Sequence, residues 1–248
     1  MLSEIIGIIA YRDPDDLLWV APGLIATFSL IYYLKGRAWA FVYVALIPFL
    51  NWSFGNVESY VLAEPNDTFE KGVKLNPLTM VTGMVFVIRD FVQREMGHRV
   101  LLVMALAVAW AFYYAWPVIA IASGLAFAVS EAVDWVLFTF TKYRLSTRVL
   151  ISSAAASPID TTIFLYGAGL ARKLHAEDQR AEIMQQMANA APAELQAALA
   201  EVPPVEVSDE LHWANWIVFV LGKMVGAVVV SWMIKRREDR GEISPHAA

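Results

Sequence analysis

Residues 100–140 have the sequence VLLVMALAVAWAFYYAWPVIAIASGLAFAVSEAVDWVLFTF, an apolar run that contains only two charged side chains. A transmembrane helix needs about 20 mostly apolar residues, so this run is too long for a single crossing of a bilayer. Proline lacks a backbone N–H and its ring clashes with the preceding turn, and Pro117 is therefore the natural point of division. The run predicts two membrane helices, residues 100–116 and 118–140.

The composition of the whole chain supports this interpretation. The 248 residues are 58% hydrophobic and 17% charged, with a mean hydropathy of +0.51. Soluble domains are typically about 45–50% apolar and about 25% charged, so this chain has too few charges to cover a water-exposed surface. The absence of cysteine excludes disulfides, thiolate zinc sites and a cysteine nucleophile, and the net charge of −5 argues against a nucleic-acid partner.

Five further segments outside the central run are long and apolar enough to be membrane helices. We therefore predict an all-α integral membrane protein, a single domain over residues 1–248 with seven spans: about 17–34, 38–55, 77–94, 100–116, 118–140, 149–170 and 213–234. Residues 171–212 form the only long hydrophilic segment. Its stretch 174–200 is rich in Ala, Glu and Gln and is expected to be helical, either as a solvated connector or as a lid or partner surface.

The basic residues of the loops predict the orientation. Eleven Lys and Arg residues lie in the loops that follow the odd-numbered spans and in the C-terminal segment, and six lie on the opposite side. Cytoplasmic loops carry the excess of Lys and Arg, so we predict that the N-terminus lies outside and the C-terminus in the cytoplasm. The connector is then extracytoplasmic.

Several charged side chains fall inside these spans, where each costs roughly 2.5–3.5 kcal/mol on insertion scales. Helical spacing places them on polar or aromatic stripes that can share one interior. We predict a cavity lined by Asp160, by Glu131 or Asp134, and by Lys223, with Asp90 and Asn51 at its margins.

Two structural explanations compete with a binding site. Asp90 and Asp134 lie near the predicted cytoplasmic ends of their spans, where they could pair with Arg94 and Arg144 at the interface. Asp160 and Lys223 could form a purely structural ion pair. No span contains a histidine, and the chain has no His-Glu-x-x-His, Walker or glycine-rich phosphate motif. We therefore expect no enzyme activity, no cofactor and no metal site.

Four motifs resemble those of a known family. They are FVIRDFVQREMGHR at 86–99, SEAVDWVLF at 130–138, ASPIDTTIF at 156–164 and LGKMVG at 221–226. In this order and spacing they resemble the vitamin-uptake, or queuosine-precursor, transporter family over roughly residues 45–235, and Asn51 and Asn56 match an Asn-rich patch in an early span. The chain departs from the family at Arg89, where relatives more often have a small hydroxyl residue.

The resemblance implies a transporter in the bacterial cytoplasmic (inner) membrane. It implies import of a queuosine precursor, a neutral 7-deazapurine base, by a six-helix core similar to the substrate-binding subunits of energy-coupling vitamin importers, with span one as an addition. A carboxylate would accept the adjacent N–H groups of such a base. Its flat face would stack on an aromatic ring, for which the candidates are Trp52, Trp110, Trp135 and Trp216.

Two other functions fit the same sequence. One is a substrate-binding subunit of an ATP-driven vitamin importer, with a separate energy-coupling module as its partner. The other is a non-transporting membrane scaffold or assembly protein, whose polar stripes would face no cavity. The substrate, the coupling ion and the oligomeric state do not follow from the sequence.

Overall fold

The computed structural model describes residues 14–66, 72–114, 120–187, 192–202, 205 and 212–244, apart from the side chains of 14, 51–56 and 193. Helices dominate the described chain, as expected for apolar segments whose backbone groups must hydrogen-bond within the segment in lipid. The helices are α1 (Leu17–Tyr33), α2 (Ala38–Asn56), α3 (Leu78–Met96), α4 (Val100–Tyr114), α5 (Ala120–Phe140), α6 (Leu145–Gln186), α7 (Pro192–Glu201) and α8 (Trp213–Asp239).

Four described helical stretches are long and apolar enough to cross a membrane. They are Leu78–Tyr114, which comprises α3 and α4, together with α5, α6 and α8. The remaining two apolar helices, α1 and the part of α2 up to Leu50, are shorter. The chain is thus a helical membrane protein, whereas the number of seven crossings stays a prediction.

The helix bounds differ from the predicted spans mainly at α6. This helix has 42 residues, roughly 63 Å at 1.5 Å per residue, about twice the thickness of a hydrocarbon core. Its C-terminal part, residues 171–186, belongs to the predicted connector. The Arg180 guanidinium donates to the carbonyls of Leu199 (3.2 Å) and Val202 (2.6 Å), so that α7 is held against the end of α6.

The segment between α2 and α3 contains a short antiparallel β-pair that the sequence analysis did not predict. Strand β1 (Tyr60–Ala63) pairs with β2 (Val73–Leu75), and Tyr60 stands opposite Leu75. Strand β2 also packs on α8.

Five helices surround the interior of the bundle: α2, α3, α5, α6 and α8. The most extensive packing is between α5 and α6, followed by α8 against α6 and against α3. Helix α4 closes the bundle against α2 and α5. Helix α1 lies at the edge, where Trp110 donates to Thr27 (3.1 Å) and Tyr113 to Asp16 (2.9 Å).

Glycines bring α3 and α8 unusually close together. A β-carbon at Gly83 would collide with the backbone carbonyl of Lys223, and one at Gly226 would collide with the Met84 side chain. Gly222 lies against Thr79 in the same crossing. Small residues four positions apart permit such backbone approach in membrane helices. The crossing fixes the position of Lys223 against the centre of α3.

Candidate functional site

Arg89 is the centre of a buried charged cluster in the middle of α3. Its side chain is inaccessible to solvent and contacts three carboxylates: Asp90 at 2.7 Å, Glu131 at 3.7 Å and Asp134. All three carboxylate side chains are also fully buried. These four residues, which we call the Arg89 cluster, join α3 to α5.

Neutral side chains hold the Arg89 cluster in place. Tyr43 of α2 donates its hydroxyl to Glu131 Oε2 at 2.7 Å. Arg89 donates to Gln93 Oε1 at 2.6 Å, and Gln93 in turn donates to the Thr139 hydroxyl at 2.7 Å. Hydrogen bonds to charged groups are stronger than those between neutral groups, and here they orient the guanidinium and one carboxylate.

The second charged group is an ion pair between α8 and α6. Lys223 Nζ lies 2.5 Å from Asp160 Oδ2 and also donates to the Thr161 hydroxyl at 3.0 Å. The side chains are 5% and 12% exposed, so this pair is slightly more accessible than the Arg89 cluster.

Ser130 connects the two groups. Its hydroxyl donates to Asp160 Oδ1 at 3.1 Å, and its neighbour in α5 is Glu131 of the Arg89 cluster. On the other side, Ser152 of α6 donates to Asp90 at the outer limit of a hydrogen bond, 3.5 Å. Polar side chains from α2, α3, α5, α6 and α8 therefore form two groups that adjoin each other at Ser130 and Glu131.

Two further hydroxyls of α6 lie between the charged groups. Ser153 and Ser157 are 1% and 0% exposed, and within the described part of the chain neither side-chain oxygen has a hydrogen-bond partner. Their spacing places both on the helix face that carries Asp160. Native proteins leave few buried polar groups unsatisfied, so this pair of hydroxyls is where water or a bound molecule would find hydrogen bonds.

The structure brings five of the predicted site residues into this network: Asp160, Lys223, Glu131, Asp134 and Asp90. Glu131 and Asp134 both take part, where one of them was expected. Asp90 belongs to the Arg89 cluster and is not marginal, because its carboxylate lies against the guanidinium. Asn51 and Trp52 lie outside the described side chains.

The alternative in which Asp90 and Asp134 pair with Arg94 and Arg144 at the interface does not match the contacts in the structure. Asp134 pairs with Arg89 and not with Arg144, which instead lies 3.3 Å from Asp239 on the surface. The partner of Asp90 is Arg89, not Arg94, because the guanidinium next to it in sequence turns into the same interior.

Trp135 is the predicted site residue that lies apart from the network. Its indole meets His98 and Phe140 edge to face, with ring centroids 6.0 Å and 6.2 Å apart. Trp110, bonded to Thr27 of α1, is also remote. By contrast, Trp216 donates to the Thr162 hydroxyl at 2.9 Å, two helical turns from Lys223, and is the stacking candidate nearest the ion pair.

The sequence analysis missed the central role of Arg89 and the participation of Tyr43. Arg89 was noted as a charged residue within a span and as a departure from the resembled family, but it was not placed in the site, although a lone arginine in an apolar span is itself a signal of a buried partner. Tyr43 gave a weaker signal, because a tyrosine in an apolar stretch is equally typical of an interfacial ring.

An apolar cavity of about 290 Å³ lies elsewhere, between the β-pair and the first turns of α8. Its lining, which includes Leu62, Trp213 and Ile217, offers no charged group. It is separate from the polar network and does not suit a polar ligand.

No protein-family model matches the chain, and neither does a characterised protein or a solved structure. The function must therefore be argued from the network itself.

Proposed function

We propose that the chain is a membrane transporter that imports a small neutral heteroaromatic base across the bacterial cytoplasmic membrane. The cargo that the sequence resemblance implies is a 7-deazapurine precursor of queuosine. The orientation in this proposal has the N-terminus outside and the C-terminus in the cytoplasm.

The observation that carries the proposal is the Lys223–Asp160 pair, buried between membrane helices and joined through Ser130 to the region of the Arg89 cluster. Removing ions from water costs several kcal/mol each, and apolar residues of similar size often stabilise a fold as well or better. Ionisable residues within membrane spans are therefore functional candidates by default. A passive scaffold would gain little from six such side chains.

The pair has the chemistry to bind a purine-like edge. The Asp160 carboxylate would accept adjacent N–H groups of the base, and the Lys223 ammonium would donate to its ring carbonyl. Ser157, one turn away on α6, offers a hydroxyl with no partner among the described residues. Trp216 would supply a face for stacking.

Binding in this way requires the bundle to open, because the network is nearly inaccessible to solvent in the present conformation. At the end of the bundle that we place in the cytoplasm, α6 and α8 are fastened together. Glu238 accepts from the backbone N–H (3.3 Å) and the hydroxyl (2.7 Å) of Ser146, and Ser231 donates to the Ser146 carbonyl at 2.7 Å. Release of cargo to the cytoplasm would separate these contacts.

One observation favours the alternative of a binding subunit in an ATP-driven importer. Ala105 and Ala109 form a small-residue pair on the outer face of α4, whereas Ala107 and Ala111 are buried within the bundle. A small-residue face on a membrane helix is suited to docking another helix.

Uptake of a radiolabelled 7-deazapurine base by cells that cannot synthesise it tests the proposal. The host must also lack energy-coupling modules, so that the chain acts alone. We expect uptake above that of cells with an empty vector. Uptake only when a coupling module is supplied would favour the binding subunit, and no uptake in either host would favour the scaffold.

A further inference from the structure

The charges of the buried network do not balance. Four helices contribute charged residues around Glu131. They are Arg89 and Asp90 of α3, Asp134 of α5, Asp160 and Arg148 of α6, and Lys223 of α8. Helix α2 contributes the neutral Tyr43. Helix α4 between Val100 and Tyr114 and helix α1 have no charged residue. Four carboxylates thus face two buried cations, Arg89 and Lys223, which are the ones that touch a carboxylate within the network, whereas Arg148 of α6 and Arg94 of α3 are only partly buried.

Arg148 is one of the two partly buried cations. Its guanidinium donates to the Phe138 carbonyl at 2.9 Å and 2.5 Å and lies 4.2 Å from the centre of the Phe138 ring. Within the fully buried Arg89 cluster, three carboxylates share one guanidinium, so negative charge is in excess there. An uncompensated charge in such a site is relieved by taking up a proton, as happens when carboxylates share a site.

Glu131 is the carboxylate with the weakest compensation. It lies farthest from Arg89, at 3.7 Å, and both its guanidinium contact and its hydrogen bond from Tyr43 involve Oε2. Oε1 is buried and has no hydrogen-bond partner among the residues that the structure describes; the same is true of Asp134 Oδ1, but the Asp134 carboxylate contacts the guanidinium directly. Glu131 Oε1 is therefore the position for an added proton.

Buried hydroxyls adjoin both Glu131 and the ion pair. Glu131 follows Ser130 in α5, and the Ser130 hydroxyl donates to Asp160. On α6, the hydroxyls of Ser157 and Ser153, which have no partner among the described residues, lie along the helix between Asp160 and Ser152. Ser152 in turn contacts Asp90. A hydroxyl both donates and accepts hydrogen bonds, so these side chains are suited to passing a proton once hydrogen bonds join them.

We propose that Glu131 is the proton-binding residue of a proton-coupled carrier, with the Asp160–Lys223 pair as the link to cargo. This inference rests on the proposed transport function. In each cycle the Glu131 carboxylate takes one proton from the outside and becomes a carboxylic acid, and it returns that proton to the cytoplasm after the cargo has crossed. One proton and one neutral base enter together, and no bond of the base changes.

The test uses the purified full chain in lipid and has two arms. The first is infrared spectroscopy, which separates the C=O stretch of a protonated carboxylic acid from the carboxylate bands and needs no cargo. We expect a carboxylic acid band near neutral pH that disappears in Glu131→Gln and persists in the control Glu242→Gln, which alters an exposed ion pair.

The second arm measures labelled 7-deazaguanine in proteoliposomes with the membrane potential set to zero. With the outside about one pH unit more acidic, a stoichiometry of one proton allows accumulation up to about tenfold. We expect this from the unaltered protein and from Glu242→Gln. Glu131→Gln should lose accumulation and keep exchange of labelled for unlabelled base, which also shows that it is folded. Glu131→Asp should recover part of the accumulation.

The outcomes separate the two proposals. Two results would overturn the proton coupling and leave the transport function intact. One is exchange of the base that the pH gradient does not affect. The other is a Glu131→Gln variant that responds to the gradient as strongly as the unaltered protein. An unchanged carboxylic acid band in Glu131→Gln would overturn the assignment of the proton to this residue. A band that does depend on Glu131, in a protein that neither takes up nor exchanges the base, would support the proton site and count against this cargo.

Discussion

Lys223 and Asp160 join α8 to α6 inside the bundle, with 2.5 Å between the ammonium nitrogen and one carboxylate oxygen. Ser130 of α5 holds the other carboxylate oxygen of Asp160 at 3.1 Å. One aspartate thus connects three membrane helices, and its replacement should affect stability and function differently.

The two partners of this ion pair should be strongly coupled in stability. Asp160→Asn or Lys223→Met alone leaves an unpaired buried charge and should lower the free energy of unfolding by about 3–5 kcal/mol. The double variant leaves no charge, so it should be more stable than either single variant. Unfolding in detergent, followed by tryptophan fluorescence, measures this.

The exposed pair Arg144–Asp239 provides the control for that comparison. Because both side chains are more than half exposed, Arg144→Gln should change stability by less than about 1 kcal/mol. If the effects of the two single substitutions at 160 and 223 simply add in the double variant, the residues are not coupled and the described ion pair is wrong.

Gly83 should be irreplaceable at the crossing of α3 and α8. Its substitution by alanine places a methyl group against the Lys223 carbonyl, and such overpacking typically costs about 1–3 kcal/mol. We expect Gly83→Ala to lower the unfolding temperature and to displace Lys223 from Asp160. Met80→Ala, at a part-exposed position of the same helix, is the control, and equal effects of both substitutions would contradict the close crossing.

Arg180 should stabilise the connector without affecting the bundle. Its guanidinium binds carbonyls at the C-terminal end of α7, where a positive charge contributes about 0.3–1 kcal/mol. Arg180→Gln should therefore speed amide exchange in Pro192–Glu201 by about two- to fivefold, measured by hydrogen–deuterium exchange. Gln179→Ala, at the exposed neighbouring position, should leave the exchange rate unchanged. Faster exchange in Gln179→Ala, or an unchanged exchange rate in Arg180→Gln, would argue against this contact.

The orientation can be tested with single cysteines, because the chain has none of its own. Ala197 and Ser244 are both exposed, on α7 and after α8 respectively. A cysteine at Ala197 should react with an impermeant thiol reagent in intact cells, and one at Ser244 only after permeabilisation. The reverse pattern would overturn the predicted orientation.

Much of the fold follows from the sequence, because the length of an apolar run and its proline breaks determine where membrane helices lie. The start of α5 and the bounds of α3 lie within two or three residues of the predicted spans. The full length of α6 could not be predicted. Residues 171–186 are polar, so their low hydropathy ends the predicted membrane span at residue 170, although the helix continues to residue 186. The β-pair is too short to show a strand pattern.

The members of the site were easier to predict than their partners. Charged residues in apolar spans are conspicuous, and helical spacing directs Asp160 and Lys223 to one interior. Pairing depends on how neighbouring helices rotate and shift, which a single sequence does not reveal. For this reason the sequence left open whether Asp134 lines the interior or pairs with Arg144 at the interface, whereas the crossing of α3 and α5 brings it to Arg89.

Uptake of labelled 7-deazapurine base by cells that express Asp160→Asn tests the central claim most directly. The matched control is Asp239→Asn, which makes the same chemical change in the exposed ion pair. We predict that Asp160→Asn still reaches the membrane but loses uptake when uptake is normalised to the amount of protein there, while Asp239→Asn transports like the unaltered protein. Normal uptake by Asp160→Asn and by Lys223→Met would show that the buried network is structural and would contradict the account.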